Sequence, residues 1–263
     1  MLCTAYAAPG RHMPFPRGIP QWKGLYTLAE SLYTKQESKG KGARAMKLDR
    51  AEALRYLGAS GKRAPALVGQ VEDMAHRLEG WLSPKYVYRV FPLSFQDGTP
   101  YLSPAGLALP GRLAKTMLAG CTQAALLACT LGTEFDRRLQ ELQVRSMAEA
   151  VILDACGSAY VEAGCQQAQA DLSAVLPQLY LTDRFSPGYG DLPLSLQPAL
   201  CEILNTQRRL GLYVTDSLLL IPMKSVTAIL GLAPTPRPTP IRGCAVCPNR
   251  GECAYRKGGS TCV

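Results

Sequence analysis

The sequence predicts an α+β domain in which a sheet is covered by helices, and three observations predict it. Segments with the 3.6-residue apolar period of helices are interspersed with β-branched and aromatic runs, without a regular βαβ repeat. The chain of 263 residues is 47% hydrophobic and 19% charged, the composition of a folded globular protein with room for one sizeable domain or two small ones. No apolar run approaches the ~20 residues of a membrane span. The first twenty residues are broken by Pro9, Arg11, Pro14, Pro16 and Arg17, where a signal peptide needs an unbroken apolar core. The expected compartment is therefore the cytoplasm, with no membrane partner.

Residues 1–45 are rich in Pro, Gly, Lys and Ser and show no sustained hydrophobic period. They read as a basic, disordered or loosely attached extension, and a translation start at Met46 would leave them outside the protein. Asp49 is a good N-cap for a short helix that Gly58 ends. From Ala64 to Trp81, Leu67, Val71, Met74 and Leu78 recur at helical spacing. Tyr86 to Leu93 has the content of a strand, and Asp97-Gly98 marks a turn into Tyr101, so a hairpin is expected. Arg112 to Leu118 is a short helix. Ala124 to Gly132 is a continuous apolar run, as in a fully buried strand, and Thr133 caps the amphipathic helix that follows to Leu142.

Met147 to Leu172 reads as a long helix whose apolar stripe (Ala150, Leu153, Gly157, Val161, Gly164, Ala168) is made of small side chains, so another element can approach it closely. Glu162 flanks that stripe. It is either half-buried and paired with a cation or snorkelling at the stripe's edge; without a partner in view, the second is the simpler reading. Leu194 to Leu204 is helical, and Gly211 to Gly231 reads as short strands and turns.

Between Leu179-Tyr180-Leu181, which is extended, and the helix at 194 lies Arg184-Phe185-Ser186-Pro187-Gly188-Tyr189-Gly190-Asp191. Pro and Gly of this kind let a backbone lie close to a small ligand, and an arginine on the rim can grip a carboxylate or phosphate with two parallel hydrogen bonds. A surface loop with a solvated arginine is the other reading.

Several features carry no chemistry on their own. The formal net charge is +9, but residues 1–65 hold 12 Lys/Arg against 4 Asp/Glu and residues 232–263 hold 5 against 1, so the middle is slightly acidic. A nucleic-acid partner is therefore not expected. Cys121, Cys129, Cys156, Cys165 and Cys201 fall on or beside apolar runs as core residues. His76 belongs to a solvated helix face. Lys224 and Ser225, adjacent in an extended segment, point apart and form no catalytic pair.

Residues 46–232 resemble the activation (reactivation) domain of cobalamin-dependent methionine synthase, in its free-standing form. The likeness rests on Arg-x-x-x-Gly-Tyr, met by Arg184, Gly188 and Tyr189; on Val214-Thr215-Asp216-Ser217; on Pro222-x-x-Ser225-Val226-Thr227; and on Thr130-Leu131-Gly132, all in family order. The resemblance implies a twisted, mainly antiparallel sheet and a shallow groove for S-adenosylmethionine (SAM). It also implies the role of a methyltransferase component that restores inactive cob(II)alamin, held by a partner, to methylcobalamin with an electron from a donor. The partner would be a cobalamin-binding methionine synthase subunit or another corrinoid protein. Carried over, Arg184 holds the ligand's carboxylate, the backbone of Ser186 to Gly188 meets the adenosine, Tyr189 adds a ring or hydroxyl contact, and Glu162 stands near the ligand's amino group. Catalysis would be mainly positioning.

The chain departs from the fused form of the family near its C-terminus, where matches to some ligand-contacting residues are missing. Residues 233–243 form a Pro-rich, semi-rigid linker, and residues 244–263 carry Cys244, Cys247, Cys253 and Cys262. Four cysteines in so short a segment of a cytoplasmic protein read as metal ligands. A 4Fe-4S cluster suits a reaction that consumes an electron, and structural zinc is the alternative. The competing function is then a redox or adaptor module for a corrinoid protein, without methyl transfer of its own.

Overall fold

The computed structural model describes residues 34–36, 46–59, 65–237 and Gly251. Thr34–Gln36 (β1) pairs with the strand Lys85–Pro92 (β2), although no strand is expected so early in the chain. Between them lie the helices Arg50–Tyr56 (α1) and Pro65–Trp81 (α2). Asp49 caps α1 as expected, its carboxylate accepting from the Ala51 and Glu52 amides at 2.8 and 3.2 Å.

The Asp97-Gly98 turn does form a hairpin, but between Ser94–Gln96 (β3) and Thr99–Leu102 (β4), which with Leu107–Ala108 (β5) make a separate three-stranded sheet. The long strand β2 ends at Pro92, which has no N–H to continue a ladder, and stays in the main sheet. Arg112–Leu118 (α3) leads into Gln123–Thr130 (β6), then Thr133–Arg145 (α4) and the 29-residue Met147–Val175 (α5). The cap expected of Thr133 is not made. Gly132 is the N-cap residue, no side chain caps the helix, and Thr133 is its first residue; Glu134 and Asp136 supply the negative charge that the exposed amides of the first turn favour. Ser146 caps α5 through the Glu149 amide.

The remaining elements are Tyr180–Leu181 (β7), Gln197–Leu204 (α6) entered through a turn of 3-10 helix, Thr206–Leu210 (α7), Tyr213–Val214 (β8), Leu220–Ile221 (β9) and Ser225–Ala233 (β10). The main sheet runs β1-β2-β6-β10-β7, with every neighbour antiparallel, and β8 and β9 form a small ribbon beside it. The stretch expected as short strands at 224–231 is thus one nine-residue strand next to the centre of the sheet.

Successive residues of β6 face opposite sides. Ala125, Leu127 and Cys129 join a core with α1, α2 and α5; Ala124, Leu126 and Ala128 join a second core with α3, α6 and Phe185. Both faces are covered, which is why the strand reads as a continuous apolar run instead of an alternating one. Helix α5 lies close on the first face because of its glycines. A Cβ on Gly164 would stand 2.5 Å from the Pro84 Cβ and 2.7 Å from the Cys129 sulfur, and one on Gly157 would collide with the Phe135 ring. Among the described residues no helix is long and apolar enough to cross a membrane.

Candidate functional site

The candidate site is built on the β7 edge of the main sheet, the outermost strand on that side among the described residues. After β7 the chain continues beside β10, and Phe185 exchanges both backbone hydrogen bonds with Ile229. Leu181 is opposite Leu232, so three residues, Thr182 to Arg184, face only two on β10. One residue is extra, and the edge bulges there. The buried Thr182 fixes the bulge: its hydroxyl accepts from the Gly231 amide at 2.8 Å and donates to the Asp183 carbonyl at 3.0 Å. Gly231 leaves room for it, since a Cβ there would meet the Thr182 methyl at 3.0 Å and the Cys121 sulfur at 2.5 Å.

The bulge aims two neighbouring side chains in opposite directions. Phe185 enters the core containing α3 and α6, while Arg184 turns towards α5. Arg184 is 9% exposed, which removes the reading of a solvated surface arginine. One terminal nitrogen of its guanidinium donates to the Glu162 carboxylate and the other to the Gln169 side-chain oxygen. Glu162 is therefore not snorkelling at the stripe's edge. Its side chain is 25% exposed and paired with a cation 22 residues away in sequence, the partner that local reading could not see.

Beyond Phe185 the chain makes a tight loop. The Tyr189 amide donates to the Ser186 carbonyl, the Gly188 amide to the Leu192 carbonyl, and the Leu192 amide back to the Tyr189 carbonyl, at 2.9–3.0 Å. Gly188 has φ +85°, a conformation that favours glycine, and Pro187 and Leu192 anchor the loop in the interior. Ser186 is half-buried, Gly188 is exposed, and the Tyr189 ring is 55% exposed. The structure thus gathers Arg184 and Glu162 into one ion pair, with Ser186, Gly188 and Tyr189 on the loop that continues from it.

Asp191 closes the loop against α3. Its carboxylate accepts from the Leu113 and Arg112 amides at 2.9 and 2.7 Å, which holds its pKa below the usual carboxylate range. The residue in cap position, Gly111, has no side chain, and a Cβ on it would stand 2.8 Å from Asp191.

The other motif segments take structural parts. Thr215 ties the turn between β8 and β9 through its hydroxyl and the Leu219 amide. The Ser225 hydroxyl donates within reach of Thr130 at 2.8 Å and the Pro222 carbonyl at 2.6 Å, while the Lys224 amine reaches Asp154 and Ser158 on α5, each at 2.9 Å. The two side chains point apart, as expected. Thr227 donates to Gln197, whose amide donates to the Leu218 carbonyl, so β10, α6 and the ribbon are joined.

Two clefts lie elsewhere. One of about 340 Å3 is lined by Cys201, Glu202, Asn205 and Tyr213, and one of about 420 Å3 by Tyr56, Leu139, Val151 and Asp154. Neither includes Arg184 or its loop. The five core cysteines are buried, and burial pushes the Cys156 thiol up to about 12 and raises those of Cys121 and Cys201. His76 is exposed, with Glu72 at 3.0 Å. Among the described residues no group of three or more His, Cys, Asp or Glu side chains could hold a metal ion; Cys244, Cys247, Cys253 and Cys262 lie outside the described residues.

Among solved structures, the chain is similar to the crystal structure of the MetH reactivation domain bound to AdoHcy. The match has 17% sequence identity and a TM-score of 0.51, and spans 92% of this chain and 82% of that one. The chain has the fold of that domain. The mixed helical and antiparallel architecture expected from the motifs is borne out. No protein-family model matches the chain, and no curated protein matches it in sequence.

Two features of the site escaped the sequence reading. Gln169 lies seven residues after Glu162, two turns along the same helix face, and that spacing was the available signal. The bulge at Thr182 had none, because an extra residue shows only once the partner strand is known.

Proposed function

We propose that the chain binds SAM at the edge formed by β7, the 186–192 loop and α5, and serves as the reactivation component of a split cobalamin-dependent methionine synthase or a related corrinoid methyltransferase. One observation carries the reading: an Arg184–Glu162 ion pair beside a glycine loop, on the fold of the MetH reactivation domain, whose solved structure is bound to AdoHcy.

The residues present fit the ligand. The amino-acid end of SAM is a zwitterion, and an arginine next to a glutamate is its electrostatic complement, the guanidinium taking the carboxylate and the carboxylate taking the ammonium. The Gly188 amide and the Ser186 and Tyr189 carbonyls are engaged inside the loop, so adenosine would lie against its exposed glycine surface, with the exposed Tyr189 ring beside it. When bound, SAM supplies the methyl group that, with one electron from a donor, returns a partner's cob(II)alamin to methylcobalamin. The residues of this chain hold and orient the ligand; none is assigned a proton to move. The partner is a cobalamin-bearing synthase subunit or corrinoid protein, and the cysteine tail would hold a 4Fe-4S cluster, with zinc as its alternative.

SAM titration into wild type and the Arg184→Ala variant tests this. Loss of a charge-assisted, two-point contact costs about 2–3 kcal/mol, so the dissociation constant should rise about 30- to 150-fold. Arg184→Lys keeps the charge beside Glu162 and serves as the folding control, with an intermediate loss. Equal affinity in wild type and Arg184→Ala removes the proposal. Cysteine-bound metal in a protein with no SAM affinity would favour the redox or adaptor role.

A further inference from the structure

We infer that Gln169 is a positioning residue for ligand recognition: it fixes the Arg184 guanidinium without cancelling its charge. This rests on the SAM-binding reading.

Arg184 is nearly buried, and two acceptors on α5 hold its two terminal nitrogens. Glu162 and Gln169 are seven residues apart, which places both on one helix face towards the bulged edge. A guanidinium held at both nitrogens has little freedom to rotate, so its donors point in set directions before any ligand arrives, and the ordering cost of binding is lowered.

The chemical difference between the two acceptors matters. Glu162 already balances the charge of Arg184, and the pair is neutral, as is the amino-acid zwitterion it would face. A second carboxylate at 169 would make the cluster net negative and repel an incoming carboxylate across a half-buried, weakly screened gap. An amide oxygen takes the hydrogen bond and adds no charge. Asp171, two residues on, is turned away: it accepts from Tyr86 at 2.5 Å and from Gln167 at 2.8 Å. The acid closest in sequence to Gln169 is thus committed elsewhere.

The test uses the full chain and three ligands: SAM, AdoHcy and 5′-methylthioadenosine, which keeps the adenosine but lacks the amino-acid end. Calorimetric titrations are made on wild type, Gln169→Ala and Gln169→Glu, with thermal melts alongside. Gln169→Ala should weaken SAM and AdoHcy about tenfold, the effect of one lost hydrogen bond that orders a charged group. Gln169→Glu is nearly isosteric, keeps the acceptor and should weaken both at least as much. 5′-Methylthioadenosine should bind all three proteins within about twofold, a difference too small for a lost hydrogen bond. If both variants bind SAM as wild type does, the inference is overturned while the function stands. If all three ligands weaken in parallel, Gln169 is merely structural and the inference is again overturned. Wild type that binds neither SAM nor AdoHcy overturns the function and the inference with it.

Discussion

Asp191 joins two segments that are 79 residues apart, because its carboxylate supplies the helix cap that Gly111 cannot. Its pKa is depressed by the Leu113 and Arg112 amides, so the sign of its contribution follows. In the unfolded chain the carboxyl titrates near the usual value of about 3.9; in the folded chain it titrates lower. The stabilisation is fully present above the unfolded value and is lost as pH falls through the folded one. Asp191→Ala should therefore melt below wild type at pH 7, and the gap should narrow as the medium is acidified from about pH 5 to pH 3. A gap that is the same at both ends would show that the carboxylate's charge is not what caps α3. Residue by residue, the site was only partly legible. Arg184 and Gly188 stand out through turn chemistry and Tyr189 only through the family pattern, whereas the pairing of Glu162 depends on a cation that only folding brings to it.

At the scale of elements, α5 shows how small residues set a distance. Its Ala/Gly stripe is plain in the sequence, but which side chain fills each gap is not, since Phe135 comes from α4 and Cys129 from β6. Gly157→Ala places a methyl group inside the Phe135 ring, and overpacking of this kind costs about 1–3 kcal/mol, read as a fall in the urea midpoint. Combining it with Phe135→Leu should recover part of that loss, because the smaller side chain can withdraw. Strictly additive losses would place the strain elsewhere in the helix. The same principle explains the misread strands. β10 is buried on both faces through most of its length, so the period-2 pattern that marks an exposed strand is absent and Ser225 and Thr227 look like turn residues. α7 is five residues long, too short to show a helical period, and its N-cap residue, Asn205, is in the left-handed conformation at φ +51°.

For the whole molecule, the two cores decide what the domain needs in order to fold. Among the described residues, every buried member of both lies between Leu48 and Leu232, on the two faces of one sheet. The cysteine tail follows a Pro-rich linker in sequence, and a semi-rigid linker of that kind is expected to keep the folding of the domain separate from any metal the tail carries. A metal-folded module behaves differently, since there the binding energy is the folding energy. If the tail is the metal site proposed above, Cys244→Ser together with Cys247→Ser should abolish any iron and sulfide, or zinc, that anaerobically purified wild type carries. The same double variant should leave the principal melting temperature within about 2 °C, a shift of less than ~1 kcal/mol for a domain of this size. Its SAM affinity should also match wild type, because among the described residues Arg184, Glu162 and the 186–192 loop are held by β10, α3, α5 and the core that includes α6. Metal retained in the double variant would remove the tail as its site. Metal loss accompanied by a large fall in melting temperature would mean that the tail packs on the domain and is part of what holds the sheet's edge in place.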